Sequence, residues 1–484
     1  MIANIAQKVH DLLKQMTVEE KLVQLGSYWM WFLQTNGELD NEKIVKVLRN
    51  GIGQITRLAG ASTLTPAHAA KTANHLQKFL LEETRLGIPA LIHEECCSGM
   101  MMLGGTQYPQ MIGLASTFQP NLAEEMTTAI RRQMMAVGGR QGLAPVLDLG
   151  RDPRWGRTEE TFGEDPTLAS HFGMAYVRGL QGEDLAKGLM ATGKHFIAHS
   201  MSQGGLNCGP VHVGMNELYD VYMTPFQAAI RDAKLASIMN SYPELDSEVV
   251  AASRRILTEL LRNQLGFEGL VVSDYNAIDM LFNYHFVADD LQKAAVLALN
   301  AGIDVELPAV RCYGDPLKAA LEAGEISLEV VDQAVERHLT KKFELGLFDN
   351  PYVDEGLALE VFETPQNRAT ARKIAQKSMV LLKNDGLLPL DKQLGKLAVI
   401  GPNAAVQHNL LGDYSYHAKL ELQGMNCDEN SSFYKLDRAS IADDEIRIVS
   451  VLEGIRSLTN QDTEILYAQG CEVFSDDVSM IPQA

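Results

Sequence analysis

A short apolar run that ends in a carboxylate is the first place in this chain to look for chemistry: Gly269–Leu270–Val271–Val272 leads into Ser273, Asp274, Tyr275 and Asn276. Such a run needs burial on both faces, as in a parallel sheet, which puts Asp274 at the C-terminal tip of a buried strand. In a barrel of such strands the tips face the ligand, and a carboxylate there suits nucleophilic or acid–base work. The same Asp would equally serve as the N-cap of a helix opening at Ala277–Ile278.

Other reactive residues also fall just after apolar runs. Arg151–Asp152–Pro153–Arg154–Trp155–Gly156–Arg157 follows Leu143–Asp148 and packs three arginines, an aspartate and a tryptophan into seven residues. Guanidinium forks and an indole face can grip sugar hydroxyls or a carboxylate, whereas a loop salt-bridge network is the plainer role, more so for Arg151 and Arg157 than for Arg154. Lys194–His195–Phe196 ends another run, and two adjacent side chains there share one face only if the backbone bulges or turns. His93–Glu94–Glu95–Cys96–Cys97–Ser98–Gly99 adds two carboxylates and two thiols, the thiols reading as small apolar filler. Met239–Asn240–Ser241–Tyr242 offers an amide and a phenol, and Met100–Met102 reads as core.

His195, His199 and His212 lie within eighteen residues, yet no spacing matches HExxH or a Cys/His zinc set, so no metal is expected. Gly401–Pro402–Asn403 follows a strand-like LAVIG without GxGxxG or GxxxxGK[ST], and nucleotide binding is set aside.

The elements that must position these residues alternate. Strand-like runs at Ile52–Thr56, Ala90–His93, Leu143–Asp148, Met190–Phe196, Ala236–Met239, Gly269–Ser273 and Ile303–Glu306 are separated by helical stretches at Leu122–Val137, Pro166–Gly179, Val221–Asp232, Ser253–Asn263 and Leu291–Ala301. That alternation predicts an α/β fold with a parallel sheet, and the gathering of polar residues on one rim favours a TIM-like (β/α)8 barrel over an open sheet. The barrel is assigned to residues 1–345, closing with a helix at Ala323–Glu344, and a linker to 346–377 on the turn signal Asp349–Asn350–Pro351. A helix at Gln366–Leu382 leads into a second α/β domain over 378–484, with strands at Lys396–Gly401 and Glu464–Ala468 and a helix at Ile446–Leu458. Two strands make a poor independent sheet, so this domain reads as incomplete.

The 62 acidic against 42 basic residues of the 484 give a formal charge of −20, which disfavours a nucleic-acid partner. No run approaches the about 20 apolar residues that cross a bilayer, and the N-terminus lacks the apolar core of a secretory signal. Six cysteines without a CxxC pair read as reduced thiols, hence a cytoplasmic location. A homo-oligomer is compatible with all of this.

These blocks resemble the glycoside hydrolase family 3 β-glucosidases and β-xylosidases, from about Leu12 to nearly the end. Leu260–Leu261–Arg262–Asn263–Gln264, four further residues, then Gly269 to Asp274 and Ala277 satisfy that family's active-site signature; RDPRWGR stands at Arg151–Arg157, its FGEDP companion within Glu160–Pro166, KHF at Lys194–Phe196 and MTxEEKxxQL at Met16–Leu25. The resemblance implies a retaining exo-β-glycosidase that hydrolyses terminal β-linked sugars of oligosaccharides or glycosides, with Asp274 as nucleophile and no cofactor. It implies that Glu95, Arg154, Lys194, His195 and Tyr242 hold the sugar, Glu95 standing where many members have Asp. The second carboxyl that such chemistry requires lies, by the same resemblance, in the second domain beyond Ala484, so the expectation is a chain that stops within that domain. Two alternatives follow: a catalytically impaired, sugar-binding remnant, or a β-N-acetylglucosaminidase or phosphorylase with His212 as acid/base, although Pro210–Val211 replaces the Asp–Ser expected before that histidine.

Overall fold

The computed structural model describes residues 2–35, 37–419 and 448–484. The chain divides into two compact units, the first running through Met379 and the second from Val380.

The first unit is built on seven parallel strands: β1 (Ser27–Trp29), β2 (Gln54–Thr56), β3 (Leu91–Glu94), β4 (Gln141–Gly142), β5 (Met190–Phe196), β6 (Ser237–Asn240) and β7 (Leu270–Val272), neighbours in sequence order. An eighth stave follows without forming a regular strand. Val305 bridges Val272 in parallel, and the Glu306 N–H donates to Leu25 O at 2.8 Å, which brings the last stave round to the first. The expected TIM-like barrel is therefore present. Leu270, Val271 and Val272 are fully buried, contributing about 1.5–3 kcal/mol each and holding Asp274 at a fixed depth.

The strand expected over Leu143–Asp148 is shorter than its apolar text. Regular pairing stops at Gly142, because Pro145 has no N–H to give, and resumes as single bonds such as Leu147 N–H to Lys194 O at 2.6 Å. The stretch Ser253–Asn263 forms a wider, i→i+5 helix over Arg255–Gln264. Helices Pro66–Glu83, Pro166–Gln181 and Pro365–Ser378 share one start: Thr65, Asp165 or Thr364 accepts the N–H three residues on, and proline takes the first helical position. Gly302, at φ +116°, ends helix Leu291–Ala301 and lets the chain turn directly into the eighth stave.

Residues 346–377, read from sequence as a linker, are packed on the barrel. Thr370 Oγ1 and Lys373 Nζ both reach the Glu125 carboxylate, at 2.7 and 2.9 Å, and the helix ends at Ser378 instead of Leu382. At the N-terminal end of the barrel, Lys342 sends its ammonium inward to Gln24 Oε1 at 2.7 Å and Pro89 O at 2.8 Å, tying the closing helix to the strand starts.

The second unit contains β8 (Lys396–Ile400) paired in parallel with β9 (Glu464–Ala468) and a helix, Val451–Leu458, started by a Ser450/Glu453 capping box. Ile446 lies outside the described residues. Its core is small, formed by Val399, Ala404 and Leu452 with Leu397, Ile455 and Ile465 against them. No helix among the described residues is long and apolar enough to cross a membrane.

Candidate active site

Five strand ends deliver the site to one rim of the barrel. Asp274 follows β7, Tyr242 follows β6, Lys194 and His195 lie in the last turn of β5, Asp148 follows the β4 segment, and Glu95 follows β3. The register of β5 against β6 slips between Gly193 and Phe196, where the Lys194–His195 and Phe196–Ile197 peptides are cis. The register slip is the kind of backbone irregularity that lets the adjacent Lys194 and His195 side chains lie on one rim.

Asp274 is held unevenly. Its Oδ1 takes the Tyr242 hydroxyl at 2.8 Å and the Tyr275 N–H at 2.7 Å, while Asn240 Oδ1 accepts the Asp274 N–H at 3.2 Å. Its buried Oδ2 has no hydrogen-bond partner and stands 3.6 Å from His195 Nε2. Burial pushes the carboxyl above its ordinary pKa, and Arg157, Lys194 and the Tyr242 hydroxyl pull it back in part.

His195 is neutral and its tautomer follows from its neighbours. Arg157, which can only donate, meets Nε2 at 3.0 Å, so the proton is on Nδ1 and goes to Asp148 Oδ2 at 2.8 Å. Burial, then the Arg157 charge, holds the imidazole well below its usual pKa. The 3.6 Å approach of Nε2 to Asp274 is accordingly a meeting of two acceptors, not an ion pair. Burial raises the Asp148 carboxyl to about 7 against the pull of the His195 N–H and Arg157. Lys194 and Glu95 pair at 3.1 Å with side chains 2% and 8% exposed; burial is the largest influence on the lysine and lowers its pKa, and Glu95, with Cys97 and Glu160, together leave a net rise.

Of the sugar-holding residues expected from sequence, Glu95, Lys194, His195 and Tyr242 gather around Asp274, and Arg154 does not. Arg154 is 70% exposed and folds back on Asp152 at 2.7 Å. The arginine that enters the site is Arg157, whose guanidinium joins His195 to the fully buried Glu160 at 2.7 Å. Its sequence signal was an opposite charge three residues on, which favours a fixed pair over a free arm. Trp155 is buried edge-on against His199 and offers no open plate. Tyr275 and His93 went unmarked as a pair; the Tyr275 hydroxyl donates to His93 Nε2 at 3.3 Å, and Trp29 lies edge-on to Tyr275.

Cys96 and Cys97 are buried, and burial lifts the Cys96 thiol to about 12, far from a nucleophile's range. His212 is exposed and faces Asp246 at 3.6 Å, a partner supplied by a hairpin turn that the sequence around His212 did not reveal; none of the bonds around Asp274 reaches it. Asp148, His195 and His199 each offer a ligand atom within 4.8 Å of the others. Both nitrogens of His195 are engaged, and the Arg157 charge acts on all three groups, which disfavours a cation there.

Residues 17–340 match the glycosyl hydrolase family 3 N-terminal domain and residues 379–478 the family's C-terminal domain. A β-xylosidase of Formosa agariphila is 33% identical over 426 residues, covering 83% of this chain and 55% of that protein. A periplasmic β-glucosidase of Salmonella typhimurium is 30% identical over 477 residues, covering 97% of this chain and 56% of that protein. Among solved structures, a β-glucosidase of Erythrobacter marinus superposes with a TM-score of 0.85 at 32% identity, over 97% of this chain and 59% of its own. A Listeria innocua β-glucosidase in complex with isofagomine gives 0.79 at 28% identity, over 97% and 60%. The chain thus spans a little over half the length of these relatives, and on the match of both domains it belongs to glycosyl hydrolase family 3.

Proposed function

We propose that this chain carries the sugar-binding and nucleophilic half of a retaining exo-β-glycosidase acting on terminal β-linked glucose or xylose. The observation that carries the reading is the asymmetry of Asp274. Two donors fix Oδ1 and share the charge, while Oδ2 stays unbonded at a strand tip, the arrangement needed for attack on an anomeric carbon. Around it, the Lys194 ammonium, the Glu95 carboxylate and the Tyr242 hydroxyl present donors and acceptors to sugar hydroxyls, while His195, with both nitrogens held by Arg157 and Asp148, forms a fixed wall of the sugar site. In the first step Asp274 Oδ2 bonds to the anomeric carbon as the aglycone oxygen leaves with the bonding pair; in the second, water displaces the carboxylate and restores the starting configuration.

Glu95, Asp148 and Glu160 are each committed to a cation or a histidine, so the reading assigns none of them as the acid that protonates the leaving group. The names of the relatives, β-xylosidase and β-glucosidase, support the substrate class without choosing between the two sugars. The acidic surface supports a carbohydrate over a nucleic-acid ligand, and the five free cysteines among the described residues support a reducing compartment.

The test is trapping. A 2,4-dinitrophenyl 2-deoxy-2-fluoro-β-glycoside carries a leaving group that needs no acid, so it should label the chain once, with the sugar on the peptide containing Asp274. Labelling elsewhere, or equal labelling of Asp274→Ala, rejects the nucleophile.

A further inference from the structure

Three loops meet around one imidazole. Ala198, at φ +61°, reverses the chain just past the tip of β5, and the turn His199–Met201 brings His199 back against the strand it has left. There its fully buried ring stands edge to face with His195 at 4.7 Å between centroids, with Tyr242 after β6 at 5.9 Å, and with Trp155 after the β4 segment at 5.4 Å. A left-handed alanine is strained and persists where its surroundings over-determine it.

The polar edge of this ring is spent away from the sugar site. Its Nε2–H donates to Asn207 O at 2.7 Å, closing the loop after β5, and Nδ1 has no hydrogen-bond partner. Burial, then the Arg157 charge, lowers its pKa to about 3, so the ring is neutral and adds no charge to its neighbours. The loop has a second anchor: Gly205, at φ +71°, lies so close on the Arg154–Trp155 backbone that a methyl group there would meet Arg154 C at 2.5 Å. What His199 adds beyond closing the loop is a ring surface shared by His195 and Tyr242.

We infer that His199 is a positioning residue: its ring sets where the Tyr242 hydroxyl meets Asp274 Oδ1, and so acts on the proposed nucleophile without touching it. The inference rests on the glycosidase reading above and deepens it. The Tyr242 hydroxyl has two acceptors, Asp274 Oδ1 at 2.8 Å and Tyr275 O at 3.0 Å, so a small shift of the phenol redistributes its one proton between them. His195 is pinned at both nitrogens by Arg157 and Asp148, so the movement that follows loss of the His199 ring falls on Tyr242. Facing Asp274 from other elements are the charged and titratable groups Arg157, Lys194, Asp148, His195, Tyr242 and Cys208, and a change at His199 replaces none of them.

The experiment compares His199→Phe, which keeps a ring, with His199→Gln and His199→Ala, which do not, by the rate at which a 2,4-dinitrophenyl 2-deoxy-2-fluoro-β-glycoside labels Asp274 across pH. The acid limb of labelling should coincide in wild type and His199→Phe. In the two ringless variants it should move to higher pH by about 0.5–1 unit, part of the shift that losing a hydrogen bond to a charged group brings. With Tyr242→Phe already in place, His199→Gln should move it no further. Lys342→Met, which weakens the barrel at its other end, should leave the limb where it is, so lowered stability alone does not produce the shift. Crystal structures of the variants read the same geometry without any chemistry: the Tyr242 Oη to Asp274 Oδ1 distance should stay at its wild-type value in His199→Phe and lengthen in the ringless pair. An unmoved acid limb or an unchanged distance in folded His199→Gln or His199→Ala overturns the positioning role, as does a shift in His199→Phe equal to theirs. Failure of the wild type to label at Asp274 overturns the glycosidase reading instead, and the distances then decide whether His199 places Tyr242.

Discussion

Tyr242 holds Asp274 by one oxygen: its hydroxyl lies 2.8 Å from Oδ1, and the same hydroxyl is 3.0 Å from Tyr275 O, so a single proton is divided between a carboxylate and a carbonyl. The bond favours the charged carboxylate against the burial that raises its pKa. Tyr242→Phe should therefore move the acid limb of kcat/KM on an activated aryl glycoside to higher pH and lower its plateau about ten- to hundredfold, the worth of one hydrogen bond to a charged group. A pH–rate profile that superposes on wild type would show that Tyr242 does not tune the carboxyl proposed as nucleophile.

Arg157 and Arg154 sit three residues apart and should behave oppositely. Arg157→Met strands Glu160, which is fully buried, and frees His195 Nε2; a loss of about 3–5 kcal/mol of stability is expected, with sugar binding weakened beyond what the lower stability explains. Arg154→Met removes only an exposed pair with Asp152 and should leave both the urea midpoint and the affinity for glucose unchanged. Equal effects of the two substitutions would contradict the placement of Arg157.

His93 is buried between Gln54 Oε1 at 2.7 Å and the Tyr275 hydroxyl, and burial, followed by Arg57, lowers its pKa to about 3. The folded protein keeps this imidazole neutral while the unfolded chain takes up a proton below about pH 6.5, so the stability it allows is lost as the pH falls through that value toward 3. His93→Gln should remove one proton from that dependence. Urea denaturation at pH 7.5, 6 and 5 should show the gap between wild type and variant shrinking by about 1.4 kcal/mol per pH unit below about pH 6. A constant gap would mean that His93 is not the neutral group described.

Lys342 tests the opposite end of the barrel. Lys342→Met leaves Gln24 Oε1 and Pro89 O without their donor and should cost about 2–5 kcal/mol, read as a lower urea midpoint, with sugar affinity unchanged under folding conditions. A change in affinity at full folding would link the two ends of the barrel.

The strand Leu270–Val272 was legible because it is a short, unbroken apolar run followed at once by polar residues, and Asp274 was marked by that transition. Ser27–Trp29 was not, since Ser-Tyr-Trp is brief and its neighbours in the ring, Gln54–Thr56 and Glu306, are supplied from elsewhere in the chain. Strand-tip position marked the runs that hold the rim residues, and the family resemblance picked Glu95, Arg154, Lys194, His195 and Tyr242 within them, whereas the choice between Arg154 and Arg157 depends on how a loop folds back over His195, which has no period to read. The helix Pro365–Ser378 was read over Gln366–Leu382, but its docking on Glu125 was not, because a polar helix face does not announce its partner.

The bonds that shut the barrel join residues far apart in the chain: His338 Nδ1 to Gln24 O and Lys342 Nζ to Gln24 Oε1 span 314 and 318 positions. Such pairings are slow to form because the loop they close is long, and on a ribosome neither can form until the last barrel helix has been made. At about 5–20 residues per second that interval is about 15–65 s, during which the first strands carry an open edge. The N-terminal end of the barrel therefore sets when this protein can begin to exist as a barrel, and the late arrival of Lys342 makes it a timing element of biosynthesis as well as a fastener.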